Sequence, residues 1–271
     1  MIRDYIEPML AHEYKNKGLV LPVYVQPKLD GQRCLSVESG LWTRTGKAIV
    51  SVPLLQTEIK KHFPSLPLDG ELYAHGSDFD FTMSTTRRTV NIKESNDVEY
   101  WVYDILDPLS AFSFRLTTLR KHFEQVAEYC TRIRLVPTYL CTTLEQVQVC
   151  MQMFLRWGFE GLMIRSYTGV YEIDKRSRYL LKMKEWKDVE GEVVGFEEGA
   201  GRNYGRLGAL VCKLRSDVLV RVGTGLSDTM RDDIWEHKED YLGKIATIKY
   251  QNLTKAGIPR FPSLLRWREE E

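Results

Sequence analysis

At 271 residues, with 43% hydrophobic and 28% charged side chains, the chain has the apolar content for one large core or two modest ones, which excludes a disordered tract. Its 38 Lys+Arg against 37 Asp+Glu leave a formal charge of +1, so a basic surface requires the fold to segregate the two signs. No apolar run approaches the roughly 20 residues of a bilayer span, and residues 1–7 show no signal-peptide core, so the expectation is no membrane and a cytoplasmic or other intracellular location.

In chain order, Ile6, Met9 and Leu10 space an amphipathic helix over residues 4–15, with Pro8 in its first turn. Leu19, Leu21, Val23 and Val25 alternate, Pro27-Lys28-Leu29-Asp30-Gly31 interrupts, and Arg33, Leu35 and Val37 alternate again, which predicts two strands joined by a polar connection. A short strand and turn follow over residues 41–47, turning at Gly46. Ser51 and Pro53 open a predicted helix running to Phe63. Strands are predicted over 68–74 and 99–106, helices over 115–129 and 143–157, and strands over 161–165 and 179–184.

Beyond about residue 188 the texture changes to short, turn-rich strands (191–197, 208–214, 218–222, 244–250) and one helix over 227–238, with Ser227 as its N-cap. The expected fold is α+β: a domain of largely antiparallel sheets over residues 1–188, then a small barrel of the OB type over 189–271. The five cysteines (Cys34, Cys130, Cys141, Cys150, Cys212) are scattered, and the histidines form no cluster, which argues for free thiols and against zinc.

Chemistry-bearing residues gather at the predicted strands. In Lys28-Leu29-Asp30-Gly31-Gln32-Arg33 a lysine stands beside an acid, a glycine and an arginine. An ordinary lysine is protonated at neutral pH, so a nucleophilic one needs help from its neighbours; the bland alternative is a surface hairpin with an ion pair. Leu68-Asp69-Gly70-Glu71-Leu72 puts two carboxylates at the start of a strand, suited to a ribose hydroxyl or a hydrated cation, or simply solvated. Trp101 and Tyr103 offer aromatic faces ahead of Asp104; Glu160 and Arg165 stand at a strand edge; Lys182 and Lys184 share one face of a strand and can grip phosphate oxygens.

In this order the motifs resemble those of the covalent nucleotidyltransferases, and among them the small ATP-dependent DNA ligases in a minimal two-domain form. The resembling segments are Lys28 to Arg33, Thr43-Arg44-Thr45, Asp69-Gly70-Glu71, Tyr103-Asp104, Glu160-Gly161, Lys182 to Lys184, and Pro259-Arg260-Phe261-Pro262 followed by Arg268. The resemblance implies that Lys28 takes up AMP from ATP, passes it to the 5′-phosphate of a nick, and that the 3′-hydroxyl then expels it. It also implies roles: Asp30, Lys182 and Lys184 with Lys28 in catalysis; Gln26 at the adenine edge; Tyr103 stacked on adenine, with Trp101 as fallback; Glu71 on the ribose. Glu71 and Glu160 would hold Mg²⁺ or Mn²⁺, and Arg33, Arg44, Arg176, Arg260 and Arg268 would meet phosphate groups.

Two features depart from larger relatives. The expectation is a ligase with no separate DNA-binding domain ahead of Lys28, and residues 203–206 run almost directly into 208–214, where some viral relatives carry a long latch. The expected partner, nicked duplex DNA, is then held by a monomer through Arg87, Arg88, Lys93, Arg202 and Arg206. The second departure is the ending Glu269-Glu270-Glu271, which lacks the acid-then-basic pair common in the family. An RNA ligase, a capping-type guanylyltransferase and an inactive nucleic-acid-binding relative are the alternatives the same motifs leave open.

Overall fold

Lys28 and Arg33 lie on consecutive strands that belong to different sheets, and this crossing organises the N-terminal unit. A computed structural model describes residues 5–77, 79–90, 92–126, 128–254 and 256–268; Asp4 and Glu269–Glu271, named above, lie outside them. The chain divides into two units between Met183 and Lys184.

In the first unit the elements run β1 (Leu10–Glu13), β2 (Val23–Lys28), β3 (Gln32–Val37), β4 (Gly40–Thr43), α1 (Pro53–His62), β5 (Leu68–Tyr73), α2 (Phe79–Thr86), β6 (Glu99–Ile105), α3 (Phe112–Val126), β7 (Ile133–Leu135), β8 (Tyr139–Cys141), α4 (Leu144–Arg156), β9 (Gly161–Ser166) and β10 (Arg176–Lys184). One sheet has the order β1-β10-β9-β2-β8 and the other β4-β3-β5-β6-β7. Strand β2 pairs antiparallel with β8 and β9, as do β3 with β4 and β5 and β5 with β6, while β1 with β10 and β6 with β7 pair parallel. Helix α4 covers the first sheet through Val147, Met151 and Phe154 at helical spacing; its N-cap Thr143 accepts from the Gln146 N–H, and Gln146 reaches back in a capping box. Helix α1 closes the second sheet with Leu55 and Ile59. Met9, Leu35, Leu106, Tyr171 and Leu180 form a further buried cluster.

One expectation fails here, and some elements go unforeseen. Over residues 5–15 the expected helix is instead irregular chain leading into β1, where Leu10 N bonds to Lys175 O just before β10 (2.7 Å) and Tyr14 N to Lys182 O of β10 (2.9 Å). The edge of β10 offers that segment a ladder, while Met9 still reaches the core, so a helix-like spacing was satisfied without a helix. Helix α1 opens at Pro53 as expected, with Val52 at the N-cap position, while the Ser51 hydroxyl donates to Thr86 O at 2.9 Å. Helix α2 and strands β7 and β8 were not foreseen; they are too short for periodicity to register.

In the second unit β11 (Lys187–Glu198), β12 (Leu207–Leu214), β13 (Leu219–Val222), α5 (Asp228–Glu236), α6 (Lys238–Tyr241), β14 (Ile245–Tyr250) and β15 (Ser263–Trp267) build one sheet, order β13-β12-β11-β14-β15. A parallel bridge between Thr224 and Ser263, with Leu264 N donating to Thr224 O at 2.9 Å, joins its two ends. A five-stranded closed barrel with a helix between its third and fourth strands is the OB architecture. Ser227 caps α5 by accepting from Met230 N, as expected, whereas β15 was missed.

Candidate active site

Strand β2 carries Gln26 and Lys28 on one face, two residues apart. Leu29 is buried among Val25 and Leu162, which pins the chain as it leaves the first sheet for the second. A Cβ on Gly31 would lie 2.3 Å from Leu72 O and 2.9 Å from Glu71 Cγ, so only glycine lets this connection press against β5. The polar connection is therefore a bridge between sheets and not the tip of a surface hairpin.

The β2–β9 ladder brings Glu160 to Lys28 across 132 positions of sequence: Glu160 N donates to Lys28 O at 3.1 Å, and the Lys28 ammonium pairs with the Glu160 carboxylate. Their side chains are 19% and 7% exposed, a nearly dry ion pair with a narrow opening to solvent. On β5, Glu71 stands opposite Arg33 of β3 and Trp101 of β6. Burial pushes the Glu71 carboxyl up to about 7; Lys28 and Arg33 oppose that rise, while Asp69 and Asp30 add to it. The Tyr103 hydroxyl, itself raised well above its ordinary range by burial, donates weakly to Glu71 Oε2 at 3.5 Å.

Tyr103 owes its placement to a bulge. Asp69 pairs with Asp104 but Gly70 pairs with Val102, so Tyr103 is the extra residue of β6, and both it and Asp104 turn toward the same side of the sheet. Gly70 permits this closeness, since a Cβ there would lie 2.6 Å from Trp101 O.

The two aspartates named from sequence are not solvated. Asp69 is wholly buried, taking Arg33 Nε at 2.9 Å, Arg33 Nη2 at 2.6 Å and the Tyr171 hydroxyl at 2.7 Å. Arg33 is thus clamped in a bidentate pair. Asp104, equally buried, takes both Arg115 (Nε 2.6 Å, Nη2 3.0 Å) and Arg165 Nη1 (2.5 Å). Arg165 is no edge residue: it is 3% exposed and donates Nε–H to Gln26 Oε1 at 2.6 Å. Sequence reading missed Arg115 and Tyr171 altogether. The usable signal in this network was Arg165 itself, a lone arginine directly after the apolar run of residues 161–164, because such charges are buried only when paired.

The remaining positions are scattered. Arg44 is exposed on the turn after β4. Arg176 donates to Ala11 O, which commits one of its N–H groups to the backbone of β1. Lys182 is half-buried in β10. Within the second unit, Lys184 Nζ donates to Gln251 Oε1 at 2.9 Å, Arg260 Cζ lies 5.5 Å from the Phe261 ring, and Arg268 pairs with Glu190 at 2.9 Å. Arg87, Arg88, Lys93 and Arg202 are exposed, while Arg206 pairs with Asp232 at 2.8 Å and Asp228 at 3.6 Å. Among the described residues no three His, Cys, Asp or Glu side chains converge as a metal cage. Mg²⁺ does not need one: it takes one or two carboxylates and fills its other positions with water and phosphate, and the hard oxygen donors of Glu71 and Glu160 fit that pattern. No helix among the described residues is long and apolar enough to cross a membrane.

A lysine paired with a carboxylate at the crossing between two mixed sheets, followed in sequence by an OB barrel, is the layout of the covalent nucleotidyltransferases. The family described as ATP dependent DNA ligase domain matches residues 8–184, and that described as DNA ligase OB-like domain matches residues 198–268. The DNA ligase of Haemophilus influenzae is 29% identical over 97% of this chain and 92% of its own length. A solved Lig E DNA ligase, characterised as binding DNA with a minimal scaffold, superposes with a TM-score of 0.82 at 26% identity, covering 96% of this chain and 98% of that one. The Chlorella virus DNA ligase-adenylate gives 0.58 at 26% identity, covering 98% and 99%. The chain belongs to the ATP-dependent DNA ligases, and its activity is the ATP-driven formation of phosphodiester bonds in DNA.

Proposed function

We propose that the chain, acting as a monomer, seals nicks bearing a 5′-phosphate and a 3′-hydroxyl in duplex DNA, with Lys28 as the residue that carries AMP. The observation that carries the reading is the Lys28–Glu160 pair, held by the β2–β9 ladder beside Glu71 and Tyr103. In this reading the Glu160 carboxylate takes the proton from Nζ, leaving a neutral amine that attacks the α-phosphorus of ATP. The Nζ–P bond forms as the bond to the β-phosphate oxygen breaks and pyrophosphate leaves. The 5′-phosphate oxygen of the nick next displaces Nζ, and the 3′-hydroxyl oxygen then displaces AMP to close the strand.

The other residues align these displacements. Tyr103 supplies a face for the adenine, Gln26 meets its edge and Glu71 holds the ribose, while Asp30 lines the loop that carries Lys28. Lys182, with Arg44 and Arg176, contributes positive charge for the phosphates, and the bidentate grip of Asp69 on Arg33 gives that arginine a fixed direction. Glu71 and Glu160 would hold Mg²⁺, which supplies charge neutralisation at the phosphates when bound. The exposed cations Arg87, Arg88, Lys93 and Arg202 suit sequence-independent contact with the DNA backbone.

Incubation with ATP labelled at its α-phosphate, Mg²⁺ and singly nicked duplexes tests this. Label is expected on the protein, lost in Lys28→Ala, with sealed DNA as product. Label on Lys28→Ala, or sealing confined to nicks in RNA, rejects the proposal.

A further inference from the structure

A primary amide has two N–H donors and two acceptor lone pairs. Gln26, buried, spends both donors: Nε2 donates to Tyr103 O at 3.1 Å and to Thr138 Oγ1 at 2.9 Å. Its Oε1 accepts from Arg165 Nε at 2.6 Å. The one capacity left is a lone pair on Oε1.

Chemistry fixes this orientation. A guanidinium only donates and a backbone carbonyl only accepts, so the oxygen must face Arg165 and the nitrogen must face Tyr103. Arg165 is itself immobilised, with Nη1 donating to Asp104 Oδ2 at 2.5 Å, and Asp104 is gripped from its other side by Arg115. The Arg165 guanidinium also lies 5.2 Å from the centre of the Tyr103 ring. One buried arginine therefore holds both the ring proposed as the base platform and the amide proposed at the base edge.

We propose that Arg165 is a positioning residue that sets the purine selectivity of the nucleotide site, by holding the Gln26 amide so that only an acceptor remains for the base. Adenine brings a donor to that acceptor in its exocyclic amine. Guanine brings the O6 acceptor at the same edge and meets lone pair against lone pair. Removal of Arg165 frees Oε1 and lowers the cost of turning the amide over, which would present N–H to guanine. The inference rests on the reading that Gln26 meets the base.

The test compares lysyl-nucleotide formation from labelled ATP and labelled GTP in the wild type, R165K, R165M and Q26A, with thermal unfolding of each protein recorded. The ATP:GTP rate ratio is expected to fall by about tenfold or more in R165M, the worth of one oriented hydrogen bond, and by a smaller factor in R165K. If R165M does not fold, R165K decides, because it keeps a cation opposite Asp104. Equal slowing with both nucleotides at an unchanged ratio, in the folded arginine variants, overturns the inference and leaves Arg165 a scaffold residue. Q26A separates the two failures. A collapsed ratio in Q26A with an unchanged one in the Arg165 variants rejects only the role of Arg165, whereas an unchanged ratio in Q26A rejects the placement of Gln26 at the base.

Discussion

The ion pairs around Lys28 and those on the barrel surface are held in opposite ways. Among the first, Arg33, Arg115 and Arg165 are tied to the fully buried Asp69 and Asp104, and Lys28 to a Glu160 that is 7% exposed. In the barrel, Arg206, Arg221 and Arg268 pair with acids that remain partly in water, and their own side chains are 27%, 74% and 54% exposed. Buried pairs fix direction, because a charge out of water cannot leave its partner cheaply. Surface pairs exchange readily with solvent, salt or a phosphate. The contrast teaches where geometry is demanded: around Lys28, the proposed nucleophile, and much less along a surface proposed to meet a repetitive backbone.

The sharpest test of that contrast is Lys28→Ala, expected to reduce protein labelling by ATP and nick sealing to background while thermal unfolding stays near that of the wild type. Next is Asp104→Asn, which strips Arg115 and Arg165 of their counter-charge; urea denaturation should show a loss of about 3–5 kcal/mol. A loss below about 1 kcal/mol would place this network with the surface pairs and break the comparison.

Glu71 gives a smaller, pH-dependent effect. Its carboxyl titrates near 7 in the folded chain, above the ordinary value of 4.5. Between those pH values the folded state binds a proton that the unfolded state has released, so this group's contribution falls as pH rises through that window and is level above it. Glu71→Gln should therefore gain up to about 3 kcal/mol relative to wild type between pH 4.5 and pH 8, and parallel stability–pH curves would refute the shift. Smallest is Arg206→Ala, expected to change stability by less than about 1 kcal/mol, while Arg202→Ala should lower the salt slope of DNA binding by about 1. A cost above about 2 kcal/mol for Arg206→Ala would erase the distinction between the two sets of pairs.

Much of this was legible in one dimension because it is local. Thr143 followed by Gln146 announces a helix start, Gly158 its end, and Ser227 the cap of α5, since capping uses atoms within a few residues. The interruption at Lys28 was legible too, as a break in alternation. The misses have one cause in common. Whether residues 5–15 coil or extend depended on the free edge of β10, and the partner that the Ser51 hydroxyl takes, a carbonyl of Thr86, lies 35 residues away.

The sequence by itself determined the fold class and the order of chemical groups along the chain, because both follow from short-range periodicity and residue type. Tertiary structure alone decided which of those groups meet. It set Glu160 on Lys28, enclosed Asp69 and Asp104, and used Arg165 to turn the Gln26 amide. Those outcomes depend on strand register and on exclusion of water, and neither is a property of any single segment.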